Sequence, residues 1–367
     1  GKASIHGDIY GGSAFGKVNN TEVDLYSLGT SDSPFSGNVY GGGKGSYTEG
    51  ATTGNVAAQV NGTAKVNMGA ATVTGGIYGG CNINGTTKAA EVNMLGGTLG
   101  VEGTPKADLL FAGGKGQNTT TTDAKMNIGS VNETTTPHTY SGSATIYSNV
   151  YGGSALGAVG VSASNEVNGS ATVNLYQATR ITGDVFGDGM GDVATNAKAR
   201  MGNSTVTLYD IALPENIFGG CNYNGTVYGK ATVNLIGGSV AKDVYGGGQG
   251  QLTEVANTGS VEVNVGTDLS TGTTTVTGNI YGGSAFGGVN SPTVNVYSAT
   301  SIGGNVFGGG KGQLASGNQA AITATVTGKT TVNMMGATVP KAIYGGCNEN
   351  GTSVDAEINV TGGAVGS

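Results

Sequence analysis

Three aspartates spaced four residues apart, Asp184, Asp188 and Asp192, lie between Arg180 and Arg200, the only arginines in the chain. Closely spaced carboxylates suit a hard cation such as Ca²⁺, which gathers several oxygen ligands. An arginine held beside carboxylates can also act as a base in a proton-abstracting site. The sequence therefore offers Asp184, Asp188 and Asp192 as calcium ligands and Arg180 and Arg200 as catalytic groups. Against both it sets a plain alternative, local ion pairing within a degenerate repeat. The remaining chemistry is sparse. The two histidines, His6 and His138, are far apart, and no nucleophile elbow, P-loop or dinucleotide-binding fingerprint stands in a strand-to-helix context. The many Gly-x-Gly triplets read as repeat corners rather than phosphate cradles.

Those residues have to be positioned by a repeat. An aromatic-glycine signature, as in Ile9-Tyr10-Gly11-Gly12, recurs eleven times, with its ring at Tyr10, Tyr40, Tyr78, Phe111, Tyr151, Phe186, Phe218, Tyr245, Tyr281, Phe307 and Tyr344. The rings are 26 to 40 residues apart. Each interval is one supersecondary unit too small to bury a core alone, so neighbouring units must stack.

A second phrase, as in Ala171-Thr172-Val173-Asn174-Leu175, alternates apolar and polar residues with the period of a strand. Its Val-Asn centre carries asparagine at Asn67, Asn93, Asn127, Asn174, Asn234, Asn264, Asn295, Asn333 and Asn359, with Asp24 and Thr207 in the other two copies. A third apolar position falls four residues before the one preceding the ring: Val73 before Ile77, Ile181 before Val185, Val240 before Val244. Three short strands per unit, glycine corners and no helical period predict an all-β parallel β-solenoid, right-handed, of about eleven coils. Stacking at ~4.8 Å makes a rod roughly 50 Å tall, with valine and isoleucine inside. The asparagines then form an amide ladder along the axis, each bond worth about 1 kcal/mol net. The rings form a stacked column, with an alternative use as an exposed stripe against sugar rings.

The residues after the ring come in a fixed order of four. Serine types follow Tyr10, Tyr151 and Tyr281; Gly-Gly-Cys-Asn follows Tyr78, Phe218 and Tyr344; Gly-Gly-Lys-Gly or its Gln249 variant fills most of the coils between. Coil six departs, with Gly187-Asp188-Gly189-Met190-Gly191-Asp192 in the lysine-type place. The chain thus reads as one solenoid, 1–367, built on a four-coil cycle at about 1–141, 142–271 and 272–367. Cys81, Cys221 and Cys347 share one phase of this cycle. Successive cysteines are then four rungs, or ~19 Å, apart, too far for a disulfide between them, and free thiols packed as small apolar groups are expected. Loops lengthen mainly in the lysine-type coils, which marks 118–122, 252–258 and 314–321 as places for a partner surface.

Charged residues are only 11% of the chain, glycines number 72, and the net charge is −7 with no basic cluster. That gives no footprint for nucleic acid, and no apolar run is long enough for a membrane helix. Neither end carries an evident cap, so the sequence predicts either a segment of a longer array or a subunit that stacks end to end.

Gly-Asn-Val-Tyr-Gly-Gly-Gly and Ala-Thr-Val-Asn-Leu followed by a glycine corner resemble the low-charge repeat regions of secreted bacterial surface proteins, including autotransporter passengers and adhesins. The resemblance runs the whole length and rests on framework positions. It implies a non-enzymatic extracellular role in adhesion or surface structure, with glycans or cell-surface proteins as partners and no cofactor. Two alternatives stand beside it. Coil six is similar to one half-turn of the calcium repeat of RTX proteins, and its arginines fit the base of a β-helical polysaccharide lyase, which makes a polysaccharide-acting enzyme one alternative. An end-to-end stacked extracellular fibre is the other.

Overall fold

The computed structural model describes residues 5–50, 54–250, 257–267, 273–298 and 300–366. Among these there is no helix; parallel strands stack rung upon rung as a β-solenoid. Eleven short strands form one sheet whose register puts each ring on the next, from Ile9↔Val39 and Tyr10↔Tyr40 to Val306↔Ile343 and Phe307↔Tyr344. The Val-Asn strands form a second face, again in exact-residue register, as at Asn93↔Asn127 and Asn127↔Asn174. The third apolar position makes the remaining face, for example Thr72–Val73 against Thr98–Leu99 and Ser239–Val240 against Thr274–Val276.

The pleat separates two cores. In Val39-Tyr40 and its copies the aliphatic residue points inward, to a continuous interior with Val66, Val92, Val173, Val233 and Val294, all buried. Burying such side chains contributes about 1.5–3 kcal/mol each. The ring points to the other side of its strand, into a separate aromatic core. That column stays dry because the segment after each ring covers it. Backbone bonds there drop to the rung below, as Lys44 N to Ser13 O and Asn82 N to Gly43 O, and Ala155, Leu156, Met190 and Phe286 pack on the rings.

The Val-Asn strands are longer than two to five residues in several coils. Ala58–Met68, Asn84–Met94, Asn118–Ile128 and Gly225–Leu235 each run eleven residues, because the segment before the Val-Asn phrase also pairs with its neighbours. This corrects the expected loop at 118–122. Thr120 and Thr121 pair with Thr86 and Thr87 on one side and Ala158 and Val159 on the other, so their backbone groups are spent within the sheet. Among the described residues, the excursions include small arches closed by antiparallel bridges, Ser46↔Val56, Val161↔Val167, Asp192↔Ala197 and Gln313↔Ile322. The last contains 314–321, with Leu314 60% exposed. Of the expected loop 252–258, residues 252–256 lie outside the described residues, and Asn257 begins a strand.

Candidate functional site

The three aspartates of coil six are engaged separately. Asp184 sits at the corner before Val185–Phe186, and its Oδ1 accepts from the Asn216 backbone N and side-chain Nδ2, both at 2.9 Å. Its carboxyl is raised above the usual range by burial, an effect those two bonds oppose. Asp188 is buried, takes the Gly189 N–H on Oδ1, and has no partner for Oδ2. Burial pushes it up to about 7. Asp192 folds onto its own arch, receiving the Thr195 hydroxyl and the backbone N–H groups of Ala194 and Thr195, which hold its carboxyl below the usual range. Among the described residues no three metal-ligating side chains gather at one point.

The arginines are turned elsewhere. Arg180 pairs with Glu102 at 3.1 Å on the exposed surface and lies over the Tyr147 ring. Arg200 reaches the arch of coil five, donating to Ser162 O at 2.5 Å and Asn165 Oδ1 at 2.6 Å, and lies over Tyr228. Both guanidinium groups are thus occupied as structural clamps. Cys81, Cys221 and Cys347 are free thiols. Cys81 Sγ packs against Thr87 Oγ1 at 3.5 Å, and burial raises all three thiols, Cys221 also through the charge of Asp188.

The framework columns are the dominant feature. Consecutive rings stack at 4.5 to 5.3 Å between centroids, with interplanar angles of 3° to 12°. From Tyr40 to Phe307 the rings are buried, which closes that stretch of the column to sugar rings. The asparagine ladder runs amide to amide from Asp24 through Asn67, Asn93 and Asn127 to Asn174, with bonds of 2.7 to 2.9 Å. It stops at Thr207 and resumes from Asn234 through Asn264, Asn295 and Asn333 to Asn359 at 2.8 to 3.0 Å.

Two further systems escaped the sequence reading. An Asp or Asn before the Val-aromatic pair caps the next rung: Asp8 Oδ1 accepts from Asn38 N, Asn38 Oδ1 from Gly76 N, and the series continues from Asn149 through Asp184, Asn216, Asp243, Asn279 and Asn305 to Ala342 N. Asp184 is one link of this corner ladder. The second system is a brace spanning two rungs. The asparagine after each cysteine donates to the tyrosine two coils below: Asn82 to Tyr10, Asn222 to Tyr151 and Asn348 to Tyr281, at 2.7, 2.7 and 3.0 Å. On the outer surface Tyr140, Tyr176 and Tyr209 form a cluster with centroids 4.7 to 5.8 Å apart. Tyr140 comes from the only hairpin among the named strands, Ser130–Asn132 with Thr139–Ser141.

No known family matches the chain, and no curated protein or solved structure is similar to it. Any functional reading therefore rests on the residues themselves.

Proposed function

We propose that this chain is a non-enzymatic structural and adhesive rod of an extracellular surface, presenting its arches and outer tyrosines to glycans or to proteins of neighbouring cells. The observation that carries the reading is the division of labour within each coil. Side chains of the recurring phrases are spent on axial columns, while variation collects in arches such as Gln313↔Ile322 and in the Tyr140, Tyr176 and Tyr209 cluster. Segments of this kind, held on a rigid scaffold, are where binding concentrates. A glycan array and whole-cell binding assay with the purified chain tests this. Binding that falls at least tenfold when 314–321 is shortened, or when Tyr176 and Tyr209 become alanine, supports it. Binding unchanged by both alterations, with the fold intact, contradicts it.

End-to-end stacking into a fibre is a second reading, favoured by the residue-for-residue parallel register with which one rung repeats on the next, as at Asn93↔Asn127 and Asn127↔Asn174, since a parallel rung templates the pairing of another. Electron microscopy of the purified chain at rising concentration distinguishes single rods from filaments.

A further inference from the structure

The second glycine of the aromatic signature makes a column of its own, from Gly12 to Gly153 below coil six and from Gly220 to Gly346 above it, with Asp188 the one side chain among them. The column is closed to side chains. A Cβ added at Gly42 would lie 2.8 Å from Cys81 Sγ, and one at Gly309 2.5 Å from Cys347 Sγ. Asp188 occupies the same place beneath Cys221.

The backbone records the intrusion. Rung-to-rung bonds along the column measure 3.0 to 3.1 Å, but the bond from Asp188 N to Gly220 O is the longest at 3.3 Å, and Gly153 N makes no bond to Asp188 O. The same coil breaks the asparagine ladder, since Thr207 has no amide to pass between Asn174 and Asn234. Finally, Asp188 Oδ2 and Asn222 Oδ1 are both buried acceptors without a donor. A buried unpaired acceptor is costly, and an ionised one far more so.

We propose that coil six is a pH-sensitive joint in the rod: Asp188 holds its rung closed as the neutral acid and loosens the contacts with coils five and seven when it ionises. The groups facing it do not titrate in the same window. From the rung above comes the Cys221 thiol, raised by burial and by Asp188; the next residue, Asn222, spends its amide on the Tyr151 hydroxyl, which is also raised by burial. From below comes Gly153, whose added Cβ would lie 2.9 Å from Asp188 Oδ1. Of the two cations of this coil, Lys198 is exposed beside its own arch and Arg200 is committed to the coil-five arch. Asp184 and Asp192 belong to the corner ladder and the arch.

An unfolded aspartate ionises near ~3.9, whereas burial lifts Asp188 to about 7. A carboxyl raised on folding confers its full stability below the unfolded value and loses it progressively as pH rises through the folded one. Opening of coil six is thus favoured on the alkaline side.

Hydrogen exchange of the intact chain, corrected for intrinsic rates, tests this at pH 5 and pH 8. Opening at Gly189, Cys221 and Asn222 is expected to rise on the order of tenfold to a hundredfold, while Gly80, Cys81 and Asn82, above Gly42, stay unchanged. Asp188→Asn and Asp188→Gly should both abolish the difference, the first by removing the charge alone. Equal protection of coil six at the two pH values overturns the proposal, as does an Asp188→Asn chain that keeps the wild-type dependence.

Discussion

Tyr40 and Tyr151 occupy the same column yet carry opposite expectations. The Tyr151 hydroxyl accepts from Asn149 and Asn222, whereas the buried Tyr40 hydroxyl has no partner. Phenylalanine already stands at Phe186 and Phe307, the places of Tyr40 in the later cycles. Tyr151→Phe should therefore cost about 1–3 kcal/mol, because it strands a buried amide. Tyr40→Phe should be neutral or slightly stabilising. Urea denaturation of the two variants measures the contrast, and equal losses would remove the two-rung brace from the account. The brace also explains why the serine-type coils carry tyrosine in all three copies, a regularity visible in the sequence without its cause.

Among elements, the strands and their register were legible because one phrase repeats with period two and a β-solenoid translates sequence repetition directly into stacking. The arches were less so. Loop length alone placed an excursion at 118–122, but the backbone pairing demanded by Thr86–Thr87 and Ala158–Val159 absorbs those residues into strand. Coil six stood out in sequence as a cluster of aspartates, yet spacing could not tell which face each carboxylate serves. Asp184 faces a corner, Asp188 the glycine column and Asp192 its own turn. The corner ladder had a signal, Asp or Asn before the Val-aromatic pair, whose meaning depends on an N–H one rung away. Thr207 offers a test at this scale. Thr207→Asn would rejoin Asn174 to Asn234 through two side-chain bonds, each worth about 1 kcal/mol. A rise in melting temperature is expected; no rise would mean that the amide ladder adds nothing to stability.

For the whole molecule, stacking of near-independent rungs makes stability a sum of coil and interface terms. Surface charge adds little to that sum. Pairs such as Lys230–Glu262 and Lys242–Glu215 bridge neighbouring rungs at partly exposed positions, where such pairs contribute at most about 1 kcal/mol each. Melting should thus change little between low and high salt. The axial columns instead require that coils be exchanged only in phase. Removing 142–271, one complete cycle, places the coil of Tyr281 directly on that of Phe111 and Asn295 above Asn127, while taking away coil six. Thermal denaturation of this shortened chain at pH 5 and pH 8 is the most direct test. A cooperative transition with most of the wild-type pH dependence gone is the predicted result. A chain that fails to fold, or one that folds and keeps the full pH dependence, would contradict a rod built from in-phase coils with its weak joint at Asp188.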